Sequence, residues 1–182
     1  LDVVISSAYA LLALINNLLD FSKIEAGKFE LEHTPFNMND FMQETMRMMA
    51  MKTHAKGLEL AYRVLPDVPA HVIGDAGRLR QVLLNLIENS VKFTHQGEVA
   101  VYVTADARTD TEASVHFSVV DTGIGIDPRK QQIIFNAFQQ LDARTSSQYG
   151  GTGLGLAVSA QLVELMGGHI RVGMEDNIYY ER

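Results

Sequence analysis

One stretch in the second half of the chain restricts its fold more than any other: an apolar, strand-like run that ends directly in a glycine-rich turn. The run spans residues 115–120, and the turn Asp121-Thr122-Gly123-Ile124-Gly125-Ile126 follows at once. A second glycine-rich segment, residues 150–156, leads into an apolar pattern of helical period. Because glycine has no Cβ, both segments predict a backbone that lets a flat ring or a phosphate group approach closely.

Length, charge and cysteine content narrow the class of protein. The chain has 182 residues, a net charge of −7 and no cysteine, which suits one ordinary domain with a short appendage. The negative charge argues against nucleic-acid binding, and the lack of cysteine excludes disulfides and zinc–thiolate sites. No apolar stretch reaches the roughly 20 residues of a membrane-spanning helix. Since the chain starts at Leu1, we expect the cytoplasmic portion of a longer protein, which could carry an inner-membrane anchor elsewhere.

The first 27 residues carry a broad apolar stripe at helical spacing, and Gly27 is a plausible C-terminal stop. A stripe this wide needs a partner. Two explanations remain open from the pattern alone. The helix docks on its own domain, or it is half of a helical hairpin that dimerises into a four-helix bundle.

The remaining segments alternate between helical and strand periodicity. Asn37 and Asp75 are predicted to cap helices that follow them. Helices are predicted at residues 37–54, 75–91, 128–135 and 152–166, and strands at residues 29–33, 58–64, 71–74, 98–105, 115–120 and 169–172. Strands clustered between helices predict an α+β fold: a two-layer α/β sandwich, with helices on one face of a mixed sheet, preceded by a long helix.

One face of the helix after Asp75 is polar in an otherwise apolar pattern. Asn85, Asn89 and Lys92 are spaced i, i+4 and i+7, so they share that face. Carboxamide oxygens suit Mg²⁺ and lysine suits phosphate oxygens. A solvated polar face would explain the same three residues.

The two glycine segments allow similar pairs of explanations. Asp121 at a strand end could accept a hydrogen bond from an exocyclic amine such as that of adenine, or it could belong to an ordinary Asp-containing turn. The second segment opens a helix, whose N-terminus attracts phosphate. It lacks the third glycine of a dinucleotide-binding fingerprint and the Gly-Lys-Ser/Thr of a P-loop.

In this order, the motifs resemble those of the ATP-binding domain of sensor histidine kinases, a member of the ATPase superfamily shared with gyrase, Hsp90 and MutL. Residues 85–94 resemble its N-box, residues 121–126 its first glycine box, residues 135–138 its F-box and residues 150–156 its second glycine box. Residues 20–27 resemble the end of the second helix of the dimerisation hairpin in hybrid kinases.

The resemblance implies a domain division and a set of site residues. Residues 1–32 would be part of the dimerisation hairpin, and residues 33–182 the ATP-binding catalytic domain. The cofactors implied are ATP and Mg²⁺, with the adenine amino group on Asp121, the metal on Asn89, and Asn85 and Lys92 in catalysis. The nucleotide-binding residues implied are Asn85, Asn89, Lys92, Asp121, Gly123, Gly125, Ile126, Phe138, Gly151, Thr152, Gly153, Leu154 and Gly155.

A flexible lid over the nucleotide is also implied. It would span residues 139–150, with Phe135 and Phe138 packing at its base. Arg144 could reach a phosphate from this lid, or it could be a solvated loop arginine.

The implied reaction is transfer of the ATP γ-phosphoryl group to a histidine in a two-component phosphorelay. The implied partners are ATP, a phosphoacceptor histidine hairpin, a response-regulator receiver domain and a second copy of the parent protein, with no nucleic acid. None of the six histidines lies in the sequence context of a phosphoacceptor, so another segment or partner must supply it. Residues 173–180 also depart from the turn and closing strand that the family usually places there.

Two alternatives to a kinase follow from the same residues. The chain could be a kinase-like binding module that regulates another histidine kinase by docking through residues 1–27. It could also be an ATPase that uses water as the acceptor. Such enzymes tend to place a glutamate base where Asn85 stands, and asparagine is a poor base, which argues against hydrolysis.

Overall fold

A computed structural model of the chain describes residues 2–109, 111–131, 133–137 and 153–173. Nine elements follow one another along these residues: α1 (Asp2–Glu25), β1 (Thr34–Asn37), α2 (Met38–Ala55), β2 (Glu59–Val64), β3 (His71–Gly74), α3 (Ala76–Phe93), β4 (Glu98–Arg108), β5 (Ala113–Asp121) and α4 (Gly155–Leu165). The described helices are too short or too polar to span a membrane.

The five strands form two hydrogen-bonded groups. In the larger group, β4 lies between β2, to which it is parallel, and β5, to which it is antiparallel. In the smaller group, β1 and β3 are antiparallel. The predicted α+β fold with a mixed sheet and packed helices is therefore confirmed.

The main core lies between α2, α3 and the larger strand group. Val99, Val101 and Val103 alternate along β4 and are fully buried. They pack with buried side chains of both helices, including Met38, Phe41, Met42, Met46, Met49, Leu83, Ile87 and Val91. The methionine row of α2 is thus core filling, as its spacing predicts.

Polar side chains fix the starts of α2 and α3, as the sequence predicts. Asn37 Oδ1 accepts hydrogen bonds from the N–H groups of Asn39 and Asp40, at 2.9 and 3.1 Å. Asp75 Oδ1 accepts from Arg78 N at 2.9 Å. Each cap satisfies N–H groups that the first turn of a helix leaves unpaired.

The last turns of α1 dock on the domain, whereas the middle of the helix does not. Phe21 and Ile24 pack against a cluster formed by α3 and α4, and Gln161 Nε2 donates to Glu25 Oε1 at 2.9 Å. Gly27 then ends the helix at a φ of 64°. Docking on the same domain therefore explains only the end of the stripe, since exposed fractions of 46–60% are found at Leu11, Leu12, Ile15, Leu18 and Leu19.

Three predicted elements are wrong. Residues 29–33 form no strand, because Phe29 packs under the Arg78 guanidinium and Glu32 N donates to the Asp75 carboxylate instead of to a neighbouring strand. The described residues of 128–135 form successive turns with bonds to the carbonyl three residues back, such as Lys130 N to Asp127 O. Residues 169–172 pair with no strand in the described parts of the chain.

Candidate functional site

Helix α3 carries the polar face on which the candidate site is built. Asn85, Asn89 and Lys92 are all half-buried, while Val82, Leu83, Ile87 and Val91 of the same helix are buried in the two apolar clusters. The amphipathic pattern therefore fixes the rotation of α3 and leaves its polar face at a partly shielded surface.

Asn85 lies where α3 meets the start of α4. Its Nδ2 donates to the Ser159 hydroxyl at 2.9 Å, and its Oδ1 accepts from Asn89 Nδ2 at 3.5 Å. A Cβ built on Gly155 would overlap Asn85 Oδ1. Glycine at position 155, the last glycine of the second segment, therefore lets α4 pack this closely on α3 with the Asn85 carboxamide in its place.

Lys92 lies one helical turn beyond Asn89, near the end of α3. Partial burial lowers the pKa of its ammonium group by desolvation. Its Nζ also lies 4.9 Å from the centre of the Phe93 ring, within the range of a cation–π interaction. A positive charge is thus kept in a partly desolvated position beside the two carboxamides.

The first glycine turn is tied to the end of α3. Gly123 N donates to Asp121 Oδ1 at 2.9 Å, and Ile124 N donates to Phe93 O at 3.4 Å. A Cβ on Gly123 would lie 2.7 Å from Phe93 O and 2.9 Å from Thr94 Oγ1. Gly123 is therefore required for the turn to approach the helix end, and this approach sets the position of Asp121.

Asp121 is exposed at the end of β5. One of its oxygens accepts from Gly123 N, and the other accepts no hydrogen bond from the residues that the structure describes. A carboxylate in this arrangement can accept a hydrogen bond from a ligand amine without disturbing the turn. Gly125, four residues on, has a φ of 67° with open space around the position of its missing Cβ.

In the part of the chain that the structure describes, no side chain caps the start of α4. Leu154 precedes the helix with no side-chain cap, and its own side chain is only 5% exposed. Gly153 before it has a φ of 70°, in the left-handed region that favours glycine. The first N–H groups of α4 therefore suit a phosphate, as expected at a helix N-terminus.

Several predicted residues lie outside the described parts of the chain: Phe138, Gly151, Thr152, Arg144 and the rest of the lid at 139–150. Of the others, Asn85, Asn89 and Gly155 are brought into contact, and Asp121 and Gly123 are held to the end of α3. Ile126 is half-buried, and its carbonyl accepts from Gln131 Nε2 at 3.4 Å. The roles of all these residues stay predictions.

The site also contains residues that the sequence reasoning missed. Ser159 is 2% exposed and bonds to Asn85. Lys56, just after α2, donates to the Val91 and Lys92 carbonyls at the end of α3. The sequence could have indicated Ser159, because it is a hydroxyl residue one helical turn after Gly155 in a mostly apolar segment. Nothing local marks Lys56, because its contact spans 35 residues of sequence.

The donor set suits a metal that is shared with a ligand. Within the described ranges, no three histidine, aspartate or glutamate side chains cluster as a metal site. Asn89 offers a carboxamide oxygen, a hard donor that Mg²⁺ accepts. Mg²⁺ is commonly held by one or two protein oxygens together with substrate phosphates, and a site of this kind fits the residues present.

Residues 74–179 match the model of a protein family described as histidine kinase-, DNA gyrase B-, and HSP90-like ATPase. The chain is 46% identical over 172 residues to the sensor protein GacS of Pseudomonas syringae pv. syringae, covering 94% of this chain and 19% of that protein. It is 44% identical over 177 residues to the signal transduction histidine-protein kinase BarA of Escherichia coli K12, covering 97% of this chain and 19% of that protein.

A third relative is the hybrid signal transduction histidine kinase L of Dictyostelium discoideum, 41% identical over 91% of this chain and 10% of that protein. The chain thus spans at most about a fifth of the length of these curated relatives.

Solved structures are similar to this chain in fold as well. Full-length ShkA in complex with AMPPNP superposes with a TM-score of 0.77 and 37% identity, covering 93% of this chain and 34% of that one. A nucleotide-free catalytic domain of the histidine kinase ThkA superposes with a TM-score of 0.64 and 26% identity, covering 80% of this chain and 91% of that one.

Proposed function

The chain belongs to the histidine kinase-, DNA gyrase B- and HSP90-like ATPase family, and we propose that it is the ATP-binding catalytic portion of a two-component sensor histidine kinase. It transfers the γ-phosphoryl group of ATP to a histidine that lies outside these 182 residues. The observation that carries the proposal is that α3 gathers the three motifs. Its face holds Asn85 and Asn89, Gly155 packs on Asn85, and the Asp121 turn is hydrogen-bonded to its last residue.

Each group has a distinct role in this proposal. The exposed Asp121 carboxylate accepts a hydrogen bond from the adenine amino group. The N–H groups at the start of α4 and the Lys92 ammonium hold the phosphates. Asn89 supplies an oxygen to Mg²⁺, which neutralises phosphate charge when bound. Catalysis of phosphoryl transfer is mostly positioning and charge stabilisation, so this donor set is sufficient without a general base on α3.

The phosphoacceptor and the downstream partners lie elsewhere in the phosphorelay. We infer that residues 1–32 belong to the dimerisation hairpin and residues 33–182 to the catalytic domain. The exposed apolar side chains of α1, such as Leu11 and Leu12, then pack in the dimer of the parent protein. Similarity to a kinase named as hybrid supports a response-regulator receiver domain as the next acceptor of the phosphoryl group.

The same exposed face of α1 favours a second candidate function. A kinase-like module that regulates another kinase by docking would also need an apolar surface on an accessible helix. The two functions differ in what the nucleotide site does. A catalytic portion must bind ATP with its metal and pass the phosphoryl group on, whereas a docking module needs neither.

The proposal is tested by calorimetric titration of the chain with ADP and with a non-hydrolysable ATP analogue, with and without Mg²⁺. The informative variant is Asp121→Asn, because asparagine keeps the Oδ1 acceptor for Gly123 N and removes the charge. Losing a charge-assisted hydrogen bond costs about 1.5–3 kcal/mol, so we expect affinity to fall by roughly 10- to 100-fold. Asp40→Asn, an exposed carboxylate in the first turn of α2, is the matched control and should bind normally.

A second assay separates the two candidate functions. A histidine hairpin from a similar kinase is supplied with radiolabelled ATP and the chain, and transfer to the hairpin is followed. Transfer that Asp121→Asn diminishes supports the catalytic portion. A folded chain that binds no nucleotide would overturn the kinase proposal and leave the docking module.

A further inference from the structure

Ser159 is a buried polar residue of α4 whose partner lies on another helix. It lies on α4, one turn after Gly155, with only 2% of its surface exposed. Its hydroxyl accepts from Asn85 Nδ2 at 2.9 Å, across the junction of α3 and α4. An alanine there would fill the helix without placing a polar group in the interior, so the hydroxyl has a role beyond packing.

Asn85 uses both ends of its carboxamide, the donor end and the acceptor end, in contacts with other side chains. Its Nδ2 end donates to Ser159, and its Oδ1 end faces Asn89. Asn89 Nδ2 donates to this oxygen at 3.5 Å. The donor end of Asn89 thus faces Asn85, and its oxygen is the end left for a cation.

We propose that Ser159 is a positioning residue: it anchors the Asn85 carboxamide to α4 and, through it, holds the Asn89 carboxamide in place as the metal ligand. The inference rests on the proposed function, since it concerns the metal that accompanies the nucleotide. It also assigns Asn85 a supporting role toward Asn89. Because α4 begins at Gly155, the same bond links the second glycine segment to the metal-binding face of α3.

Supporting partners of metal ligands have a measurable signature. Their removal typically lowers metal affinity by roughly 10- to 100-fold. Without the Ser159 hydroxyl, Asn85 loses its bond to α4, and rotation of its carboxamide leaves Asn89 without a fixed partner. Contacts to the adenine and to the α4 backbone do not depend on this rotation.

The test compares ADP affinity with Mg²⁺ and with EDTA by calorimetry. Its readout is the ratio of the dissociation constant in EDTA to the dissociation constant in Mg²⁺. For Ser159→Ala we expect this ratio to fall by roughly 10-fold or more, with the affinity in EDTA unchanged. Ser159→Thr retains a hydroxyl and should keep the ratio. Ser90→Ala removes another buried serine hydroxyl, on α3, that forms no hydrogen bond with Asn85 in the described structure, and it should keep the ratio too.

A purely structural role gives a different result. If Ser159→Ala lowers the melting temperature and leaves the ratio intact, the proposal is overturned. If the alanine variant does not fold, Ser159→Cys fills nearly the same space with a weak acceptor and should still lower the ratio. An unsubstituted chain that binds no nucleotide contradicts the proposed function itself, which separates the two failures.

The route through Asn85 is tested by a double-mutant cycle. In an Asn85→Ala background, Ser159→Ala should change the ratio little, because the group through which it acts is gone. Additive losses in the cycle would mean that Ser159 acts on the metal site by another path.

Discussion

The two ends of α3 use polar side chains in opposite ways. At the first turns, Arg78 donates to Asp20 and to Gln81, and Gln81 donates to Asp20, with all three distances between 2.9 and 3.1 Å. The three side chains close a ring that fastens α1 to α3. Asp20 is only 8% exposed, so the shared acceptor of this ring is shielded from water.

At the other end the pairing is looser and the groups are more accessible. Asn89 reaches Asn85 at 3.5 Å, and the Asp121 carboxylate is exposed. Burial lowers the pKa of Lys92, which means that its charge is held at a cost. Buried polar groups in a closed network indicate a structural joint between helices, whereas accessible polar groups beside a lysine of lowered pKa indicate a ligand site. The first turns of α3 therefore hold α1 in place through the Asp20–Arg78–Gln81 ring, which we call the joint. The rest of the helix forms one side of the candidate nucleotide site.

Breaking the joint should give the largest effect on stability. Asp20→Ala leaves the Arg78 guanidinium and the Gln81 amide without their shared acceptor. Removing one partner of a fully buried pair costs about 3–5 kcal/mol, and because Arg78 is about one third exposed we expect about 2–3 kcal/mol here. Thermal denaturation measures this loss in the free energy of unfolding.

The comparison between the two ends predicts that Asp20→Ala does not affect the nucleotide site. Nucleotide affinity should stay within about twofold of the parent chain, since distant sites add independently. The matched control is Lys52→Ala, which removes an ion pair with Glu88 whose side chains are both more than half exposed. Exposed pairs contribute about 0–1 kcal/mol, so little change is expected. A loss of nucleotide binding in Asp20→Ala would show instead that the two ends of α3 are energetically coupled.

A matched pair of glycine substitutions probes the two ends directly. Gly155→Ala forces a methyl group onto Asn85 at the candidate site, and overpacking of this kind costs about 1–3 kcal/mol. Gly77→Ala at the joint meets only Asp75 Oδ1 at 3.4 Å, and in a helix it should stabilise by about 0.5–1 kcal/mol. Denaturation together with ADP titration measures both effects.

The expected pattern is that Gly155→Ala weakens nucleotide binding as well as the fold, because α4 and the Asn85 carboxamide must move apart. Gly77→Ala should leave the affinity unchanged. Equal affinities for the two variants would show that the close approach of α4 to Asn85 matters for packing alone.

Sequence patterns predicted the helices and most strands because those signals are local. The caps at Asn37 and Asp75 and the Gly27 stop depend on residues within one turn, and all three are present in the structure. The spacing of Asn85 and Asn89 likewise fixes their common face. The prediction of a strand at residues 29–33 was wrong because Phe29 and Glu32 have partners on α3 and at its N-cap that alternation cannot reveal.

The candidate site was predictable as a set of motifs but not as a network. The glycine boxes identify where the backbone comes close to other groups, yet only the fold pairs Gly155 with Asn85 and Gly123 with Phe93. The contacts of Ser159 and Lys56 could not be predicted for the same reason, since each joins elements that are distant in sequence. Hydrophobic periodicity carries no information on such pairs.

The smallest effect, and the sharpest contrast between the ends, concerns the charge of Lys92. Because desolvation lowers its pKa below the ordinary value of 10.5, the ammonium loses its proton earlier on a rise in pH than an exposed lysine does. Phosphate affinity should therefore begin to fall below pH 10.5, by less than about tenfold for one point charge. Lys92→Arg keeps its charge throughout this range and should remove the decline.

Stability should change in the opposite direction over the same pH window. The unfolded chain holds the Lys92 proton more tightly than the folded one, so this group's contribution to the free energy of unfolding rises between the lowered pKa and 10.5. Other lysines and tyrosines also titrate there, and subtracting the Lys92→Arg profile isolates the single group. If phosphate affinity falls while the Lys92 contribution to stability rises, the Lys92 charge favours ligand binding and disfavours the fold. Parallel declines in both would instead assign Lys92 to the fold, like the ring at the opposite end of the helix.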